Sequence, residues 1–116
     1  MRRYYNILTT VFLLVMAFAT TARSQTADDF FNSAVEKAKA GDRAGAIADY
    51  SKAIELKPDN TDAIFNRAAL KIDTGDLQGA IADFTKIMEI DPKYAPAYFG
   101  RGVVRGKLKQ LDAGDA

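Results

Sequence analysis

The 116-residue sequence contains no cysteine, no histidine and no tryptophan. Without cysteine the chain forms no disulfides, so its stability depends on packing alone even outside the cytoplasm. Without cysteine and histidine it also lacks the side chains of a Ser-His-Asp or Cys-His centre and the imidazole and thiolate ligands of a zinc site. We therefore expect no enzymatic activity, no bound metal and no cofactor.

Paired carboxylates are the remaining candidates for acid-base chemistry. The closest pairs are Asp28 with Asp29 and Asp73 with Asp76. The first pair lies at the predicted start of a helix, where acidic residues interact favourably with the helix dipole, and the second pair flanks a predicted turn. Because two catalytic acids need a shared cleft, capping and solvation are the interpretation we favour for both pairs.

The N-terminal segment has the three features of a secretory signal peptide. It starts with Met1-Arg2-Arg3, continues through an apolar block over residues 7–19 and reaches the small residues around Ser24. This pattern predicts a signal peptide over residues 1–24, cleaved before Gln25, and hence a periplasmic or secreted protein. The apolar block is shorter than the roughly 20 residues that span a bilayer, so a retained membrane anchor is the alternative interpretation.

Removal of this segment changes the sign of the net charge. Arg2, Arg3 and Arg23 are lost, which leaves 13 basic and 15 acidic residues in a mature chain of 92 residues. A nucleic-acid-binding domain would carry a basic stripe, so we expect no nucleic-acid partner. We expect no membrane contact either, unless the N-terminal segment is retained. The length allows one small domain.

The rest of the chain contains an internal repeat. The stretch GDRAGAIADYSKAIELKP begins at Gly41, and GDLQGAIADFTKIMEIDP begins 34 residues later at Gly75. Residues 27–60 and 61–94 align without a gap and are identical at 15 of 34 positions. A fixed period of this size indicates stacked structural repeats, each of which buries its apolar face against its neighbours.

Each repeat has the pattern of two helices joined by a tight turn. In the first copy the apolar residues recur at helical spacing: Phe30, Phe31, Ala34, Val35 and Ala38, then Ala46, Ile47, Tyr50, Ala53 and Ile54. Between the two sets, Gly41 is suited to the left-handed conformation that ends a helix, and Asp42 can cap the next one. Pro58 then ends the second helix.

These positions resemble the tetratricopeptide repeat. The matching residues are Ala34, Gly41-Asp42, Ala46, Tyr50 and Pro58 in the first copy, and Ala68, Gly75-Asp76, Ala80, Phe84 and Pro92 in the second. The resemblance implies an all-α fold, a right-handed superhelical solenoid of antiparallel helix hairpins with about two and two-thirds repeats. The repeats would occupy residues 27–60, 61–94 and, incompletely, 95–116.

The third unit departs from the pattern. Its first helix would present Tyr98, Phe99, Gly102 and Val103, whereas the Gly-Asp turn is replaced by Lys109-Gln110 and the small residue of the second helix by Gly114. We expect a second helix to begin after this altered turn. Either the chain is part of a longer protein that completes the repeat, or its open apolar end associates with a partner or with a second copy.

The resemblance also implies a concave groove, lined by the first helix of each repeat, that binds a peptide or protein partner. Its candidate residues here are Asp28, Phe31, Asn32, Val35, Lys39, Asp62, Phe65, Asn66, Ala69, Asp73, Phe99 and Val103. Asparagine can both donate to and accept from an extended peptide backbone, and the phenylalanine row would provide apolar pockets. Packing of the phenylalanines within the array is the alternative interpretation.

Some members of the family clamp the acidic C-terminus of cytosolic chaperones with basic residues beside such asparagines. Asn32 and Asn66 match that set, but Asp28, Pro96 and Gly100 occupy its basic positions. We therefore do not expect this clamp. The sequence favours a non-catalytic interaction scaffold for an extended or helical peptide with apolar side chains; the alternative is a truncated helper region of a larger exported enzyme or envelope complex.

Overall fold

The computed structural model describes residues 24–114, which contain five α-helices. They are α1 (Ala27–Lys39), α2 (Arg43–Leu56), α3 (Thr61–Asp73), α4 (Leu77–Ile90) and α5 (Ala95–Gly114). Each helix packs against the next along the chain, which is the predicted all-α architecture. The predicted signal peptide lies outside the described residues except for Ser24. Within residues 24–114, no helix has the length and apolar character needed to cross a membrane.

The first four helices begin at side-chain caps. Asp42 and Asp76 accept hydrogen bonds from the backbone N–H groups of Gly45 and Gly79, both at 2.9 Å. Thr26 caps α1 in a reciprocal arrangement with Asp29, and Asn60 caps α3. Because the cap satisfies a backbone donor that a helix start would otherwise leave unpaired, these residues fix where each helix begins.

The turn inside each repeat depends on a glycine in the left-handed region. Gly41 has φ of 84° and Gly75 has φ of 87°, a conformation that side chains with a Cβ disfavour. The residue after each glycine then donates its backbone N–H back to the preceding helix, at 2.9 Å and 2.8 Å. The predicted role of the Gly-Asp pair as both terminator and cap is confirmed.

The core consists of two clusters, each of which contains the buried aromatic residue of one complete repeat and extends to the helix that follows. The first cluster contains Ala34, Ala46, Tyr50 and Ala63. The second contains Ile64, Ala68, Ala80, Phe84, Ile87, Ala97 and Val104. The alanines are fully buried and the two aromatic rings nearly so, so the small residues let the helices approach closely while an aromatic residue fills the space beside them.

A buried ion pair connects α3 to α4. The Asp83 carboxylate, only 4% exposed, accepts two hydrogen bonds from the Arg67 guanidinium, at 2.9 Å and 2.7 Å. The Lys71 ammonium lies 3.1 Å from the same carboxylate. We call Arg67, Lys71 and Asp83 the Asp83 clasp. In the first repeat Asp49 has the equivalent place, and it is bound by Ser33 at 2.6 Å and Lys37 at 2.8 Å.

The second helix expected in the third unit does not form within residues 24–114. A single helix, α5, continues through Lys109 and Gln110 to Gly114, so there is no turn where a second helix was expected to begin. The physical reason lies in the altered turn: it lacks the glycine that adopts positive φ and the aspartate that caps the following helix. Lysine, glutamine and leucine are instead good helix formers, and they extend the helix.

Two glycines of α5 should respond in opposite directions to substitution by alanine. A Cβ at Gly100 would lie 2.5 Å from Cζ of Phe84, whereas a Cβ at Gly102 would meet nothing within 4 Å. Since Phe84 is buried, we expect Gly100→Ala to lower the free energy of unfolding by about 1–2 kcal/mol. Gly102→Ala should raise it by up to about 1 kcal/mol. Urea denaturation of the two variants measures both changes, and stabilisation by both would contradict the close packing of α5 on Phe84.

Candidate functional site

Helices α1 and α3 lie on the same side of the array and border two depressions. The Asp28 pocket, of about 480 Å³, is lined by Asp28, Phe31, Lys57, Asp59, Asn60, Thr61 and Asp62. The Asn66 pocket, of about 290 Å³, is lined by Val35, Ala38, Lys39, Tyr50, Asn66, Ala69 and Leu70. Seven of the twelve candidate residues therefore border a pocket: Asp28, Phe31, Asp62, Val35, Lys39, Asn66 and Ala69. We refer to the two pockets together as the α1–α3 groove.

The phenylalanine row is not uniform. Phe31 packs edge-on against Tyr50, with ring centroids 5.5 Å apart, and Phe65 packs in the same way against Phe84 at 5.7 Å. Both phenylalanines are half-buried, so each one packs against the second helix of its own repeat. Phe99 is 76% exposed. Of the three phenylalanines, Phe31 also borders the Asp28 pocket.

The two candidate asparagines differ in their partners. The Asn66 side chain donates a hydrogen bond to the hydroxyl of Tyr50 at 3.3 Å, which ties α3 to the preceding helix. Asn32 is exposed and has no side-chain hydrogen bond within residues 24–114. In the next repeat, Gly100 stands where Asn66 stands, and Phe84 replaces the tyrosine. The hydroxyl and its asparagine partner are thus lost together, and the Phe84 ring lies against the Gly100 backbone.

The environment of Tyr50 changes its acidity. Burial raises the pKa of the Tyr50 hydroxyl above its ordinary value of 10.0, and the hydrogen bond from Asn66 partly offsets the rise. The folded chain therefore favours the protonated hydroxyl.

This raised pKa predicts a loss of stability in alkali. The stabilising contribution of protonated Tyr50 is complete below its ordinary pKa and is lost as pH rises through the folded-state pKa. Tyr50→Phe removes the titrating group, so the variant should lose less stability than the wild type between about pH 8 and about pH 11. Urea denaturation at the two pH values measures this, and equal losses in both proteins would contradict the prediction.

The two pockets differ in charge. The Asp28 pocket has three carboxylates and only one basic side chain, that of Lys57. The Asn66 pocket is mostly apolar, and Lys39 at its edge is its only charged residue. Asp73, another candidate, lies 4.0 Å from Arg43 in an exposed ion pair. The part of the chain that the structure describes contains no group of three or more residues able to hold a metal ion.

Sequence reasoning missed part of the groove. Lys57, Asp59, Asn60 and Thr61 line the Asp28 pocket from the segment that connects the two repeats and the start of α3. The helical periodicity that located the other candidates cannot reach residues between helices. Tyr50, predicted only as one of the apolar residues of the second helix, also borders the Asn66 pocket. The repeat register could have indicated this second role. Tyr50 lies 16 residues before Asn66, and the two side chains meet across the loop that joins α2 to α3.

Stacked helix hairpins with an open groove along their first helices define a helical repeat protein. The model of the tetratricopeptide repeat family matches residues 30–60 and 61–94. The chain belongs to the tetratricopeptide repeat family. A comparison with curated proteins yields no significant match.

Solved structures of this family resemble the chain over about three quarters of its length. The first repeat domain of Spaghetti (RPAP3), bound to the HSP90 peptide SRMEEVD, has a TM-score of 0.68 and 27% identity, and the match covers 78% of this chain and 71% of that one. The Arabidopsis OM64 repeat domain has a TM-score of 0.68 and 30% identity, with coverages of 75% and 72%. The yeast Sti1 TPR2B domain, in complex with an Hsp70 peptide, has a TM-score of 0.68 and 26% identity, and the match covers 78% of this chain and 72% of that one.

Proposed function

We propose that this protein is a non-catalytic scaffold that binds a peptide or an extended protein segment in the α1–α3 groove. The observation that carries the proposal is the Asn66 pocket, whose apolar lining includes Val35, Ala38 and Ala69. The exposed carboxamide of Asn32, on the same helix as Val35, is free to bond to a peptide backbone. An apolar surface beside a few polar groups is the usual composition of a peptide-binding groove.

The solved relatives support a peptide ligand for this protein, and a comparison with them indicates how its ligand would differ from theirs. The RPAP3 domain is bound to a peptide with an acidic end, SRMEEVD. In this chain a carboxylate ligand placed in the Asp28 pocket would approach Asp28, Asp59 and Asp62. Because like charges at short range are unfavourable, we expect the ligand to be apolar and not to end in an acidic tail.

Blocking the groove tests the proposal. Ala69 is exposed, so Ala69→Arg should fill the Asn66 pocket without disturbing the core. Peptides selected from a displayed random library on the wild-type protein should bind this variant at least about tenfold more weakly, which corresponds to about 1.4 kcal/mol. The matched control is Ala82→Arg, at an exposed alanine of α4 outside both pockets. Equal binding to wild type and Ala69→Arg, measured by fluorescence polarisation, would place the ligand elsewhere.

Asn32→Ala is the corresponding probe of polar contacts. Asn66→Ala would also remove the partner of the buried Tyr50 hydroxyl, so its effects on binding and on stability would be mixed. Asn32 has no such internal partner, and its truncation should weaken a selected peptide while leaving the urea midpoint unchanged. Unchanged affinity would remove Asn32 from the proposed contact set.

We also propose that the protein is exported. The supporting observation, beyond the N-terminal sequence pattern, is that the capping residue of α1 is Thr26. Cleavage before Gln25 would therefore leave the whole folded array and its first cap intact. Mass spectrometry of the protein from a bacterial host should find a chain starting at Gln25 in the periplasmic fraction. An uncleaved chain in the cytoplasmic fraction would overturn this proposal.

A further inference from the structure

One side of α5 is uncovered although the same side of α1 and α3 is covered. Gly102 stands at the repeat position of Ala34 and Ala68, both fully buried against the second helix of their repeats. Gly102 itself is exposed, and a Cβ there would meet nothing within 4 Å. Tyr98 is 45% exposed, whereas Ile64 at the same position of α3 is fully buried.

The charged groups on this side also lack the partner that they have in the preceding repeat. Arg101 corresponds to Arg67, and each donates to a hydroxyl of the preceding repeat, at 3.4 Å to Thr85 and 3.0 Å to Ser51. Arg67, however, also binds the Asp83 carboxylate together with Lys71. Arg105 corresponds to Lys71. Within residues 24–114, neither Arg101 nor Arg105 has a carboxylate partner. We call Tyr98, Phe99, Arg101, Gly102 and Arg105 the open face of α5.

The aromatic contact of each complete repeat is missing here too. Phe31 and Phe65 pack edge-on against an aromatic residue of the second helix. Phe99 stands at the same repeat position and is the most exposed of the large apolar side chains in the described residues, at 76%. In each preceding repeat, the second helix covers this side with three residues: a small residue, a carboxylate three positions later, and an aromatic residue directly after the carboxylate. The open face of α5 lacks all three partners within residues 24–114.

We propose that the open face of α5 docks an amphipathic helix of a partner protein that carries this pattern, a small residue followed at the third and fourth positions by a carboxylate and an aromatic. The small residue packs on Gly102, the carboxylate pairs with Arg101 and Arg105, and the aromatic ring packs on Phe99. The internal precedent is Ala80, Asp83 and Phe84 of α4. This surface is separate from the α1–α3 groove, so the inference does not depend on the proposed ligand of that groove.

Charge favours an acidic partner helix over a second copy of α5. The helix carries Arg101, Arg105, Lys107 and Lys109 against one acidic residue, Asp112. Face-to-face pairing of two such helices would bring like charges together and would leave both arginine pairs without carboxylates. A helix with an acidic residue opposite the arginines satisfies them in a partly desolvated contact, where charge-assisted hydrogen bonds are strong.

The probe for this proposal is a synthetic peptide, blocked at both ends, with the sequence of residues 76–92. It contains Ala80, Asp83 and Phe84 in the required spacing. We expect it to bind the purified protein at or below about 1 mM and its Asp83→Asn counterpart at least about tenfold more weakly, since the charge-assisted bonds are lost. Added salt should weaken the first peptide more than the second. Isothermal titration calorimetry measures both affinities.

Two protein variants locate the binding. Gly102→Leu fills the site of the small residue and should reduce binding at least about tenfold, while helix propensity keeps its unfolding midpoint at or above that of the wild type. Gln110→Leu adds the same side chain at an exposed position of α5 outside the open face, and it should bind as the wild type does. Arg101→Gln with Arg105→Gln should abolish the preference for the aspartate peptide over its asparagine counterpart.

Four results would overturn the proposal. One is the absence of peptide binding at about 1 mM. The second is equal affinity for the aspartate and asparagine peptides, and the third is unchanged binding by Gly102→Leu. The last is sedimentation of the protein alone as a dimer that Gly102→Leu dissociates, since that would assign the open face to a second copy.

Discussion

Asp83→Ala lowers the free energy of unfolding by about 3 kcal/mol, which we expect to be among the largest effects of any single substitution in this chain. The variant leaves the guanidinium of Arg67 and the ammonium of Lys71 without their shared carboxylate. Their side chains are only 19% and 17% exposed, so water replaces the lost partner incompletely. A small domain typically has about 5–15 kcal/mol of stability in total, so urea denaturation should show a large shift of the midpoint.

Asp49→Ala is the matched control because Asp49 stands at the same position of the first repeat. Its side chain is 14% exposed against 5% for Asp83, and its partners are a serine hydroxyl and the more exposed Lys37. We expect a loss of about 1 kcal/mol, typical of a partly solvated charge-assisted contact. Equal losses from both variants would show that the Asp83 clasp contributes no more than its counterpart in the first repeat.

Phe84→Ala should cost about 3–5 kcal/mol, the range for truncating a buried phenylalanine. The ring is 2% exposed, packs edge-on against Phe65 and lies against the backbone of α5 at Gly100. Its removal leaves a cavity between the second repeat and α5. Hydrogen exchange should therefore show loss of protection across α5 before loss of protection in α1 and α2.

Phe84→Leu controls for the apolar character of the site. Leucine keeps most of the buried volume, so the loss should be about 1–1.5 kcal/mol and α5 should keep its protection. If the alanine variant lost protection uniformly along the chain, then α5 would not depend on this contact, and the description of Phe84 as the residue that joins α5 to the array would be wrong.

Much of the architecture could be predicted because the same physical signals occur twice. The apolar spacing, the Gly-Asp turns and the buried alanines each appear in both complete repeats, and the helices of the structure end where these signals place their ends. Gly41 and Gly75 adopt the positive φ that their turns require. The local chemistry of capping and turn formation depends on residues near in sequence, and a single chain contains all of that information.

Contacts between helices were harder to predict from the sequence. The hydrogen bonds from Asn66 to Tyr50 and from Arg67 to Asp83 each join residues 16 positions apart, and the apolar periodicity within a single helix does not identify such pairs. The turn expected at Lys109-Gln110 was wrong because repeat register alone placed it there, whereas the local residues favour continued helix. Register indicates where a turn belongs in the family, but the glycine and the capping aspartate determine whether it forms.

Chemical-shift mapping of a selected peptide on the isotopically labelled protein tests whether the peptide binds in the α1–α3 groove. We predict that the largest shift changes fall on Val35, Lys39 and Ala69 of the α1–α3 groove and on Asn32 of α1, and that α2 and α4 change little on their exposed surfaces. Largest changes on the exposed surfaces of α2 and α4, with the groove unaffected, would show that the peptide binds outside the α1–α3 groove.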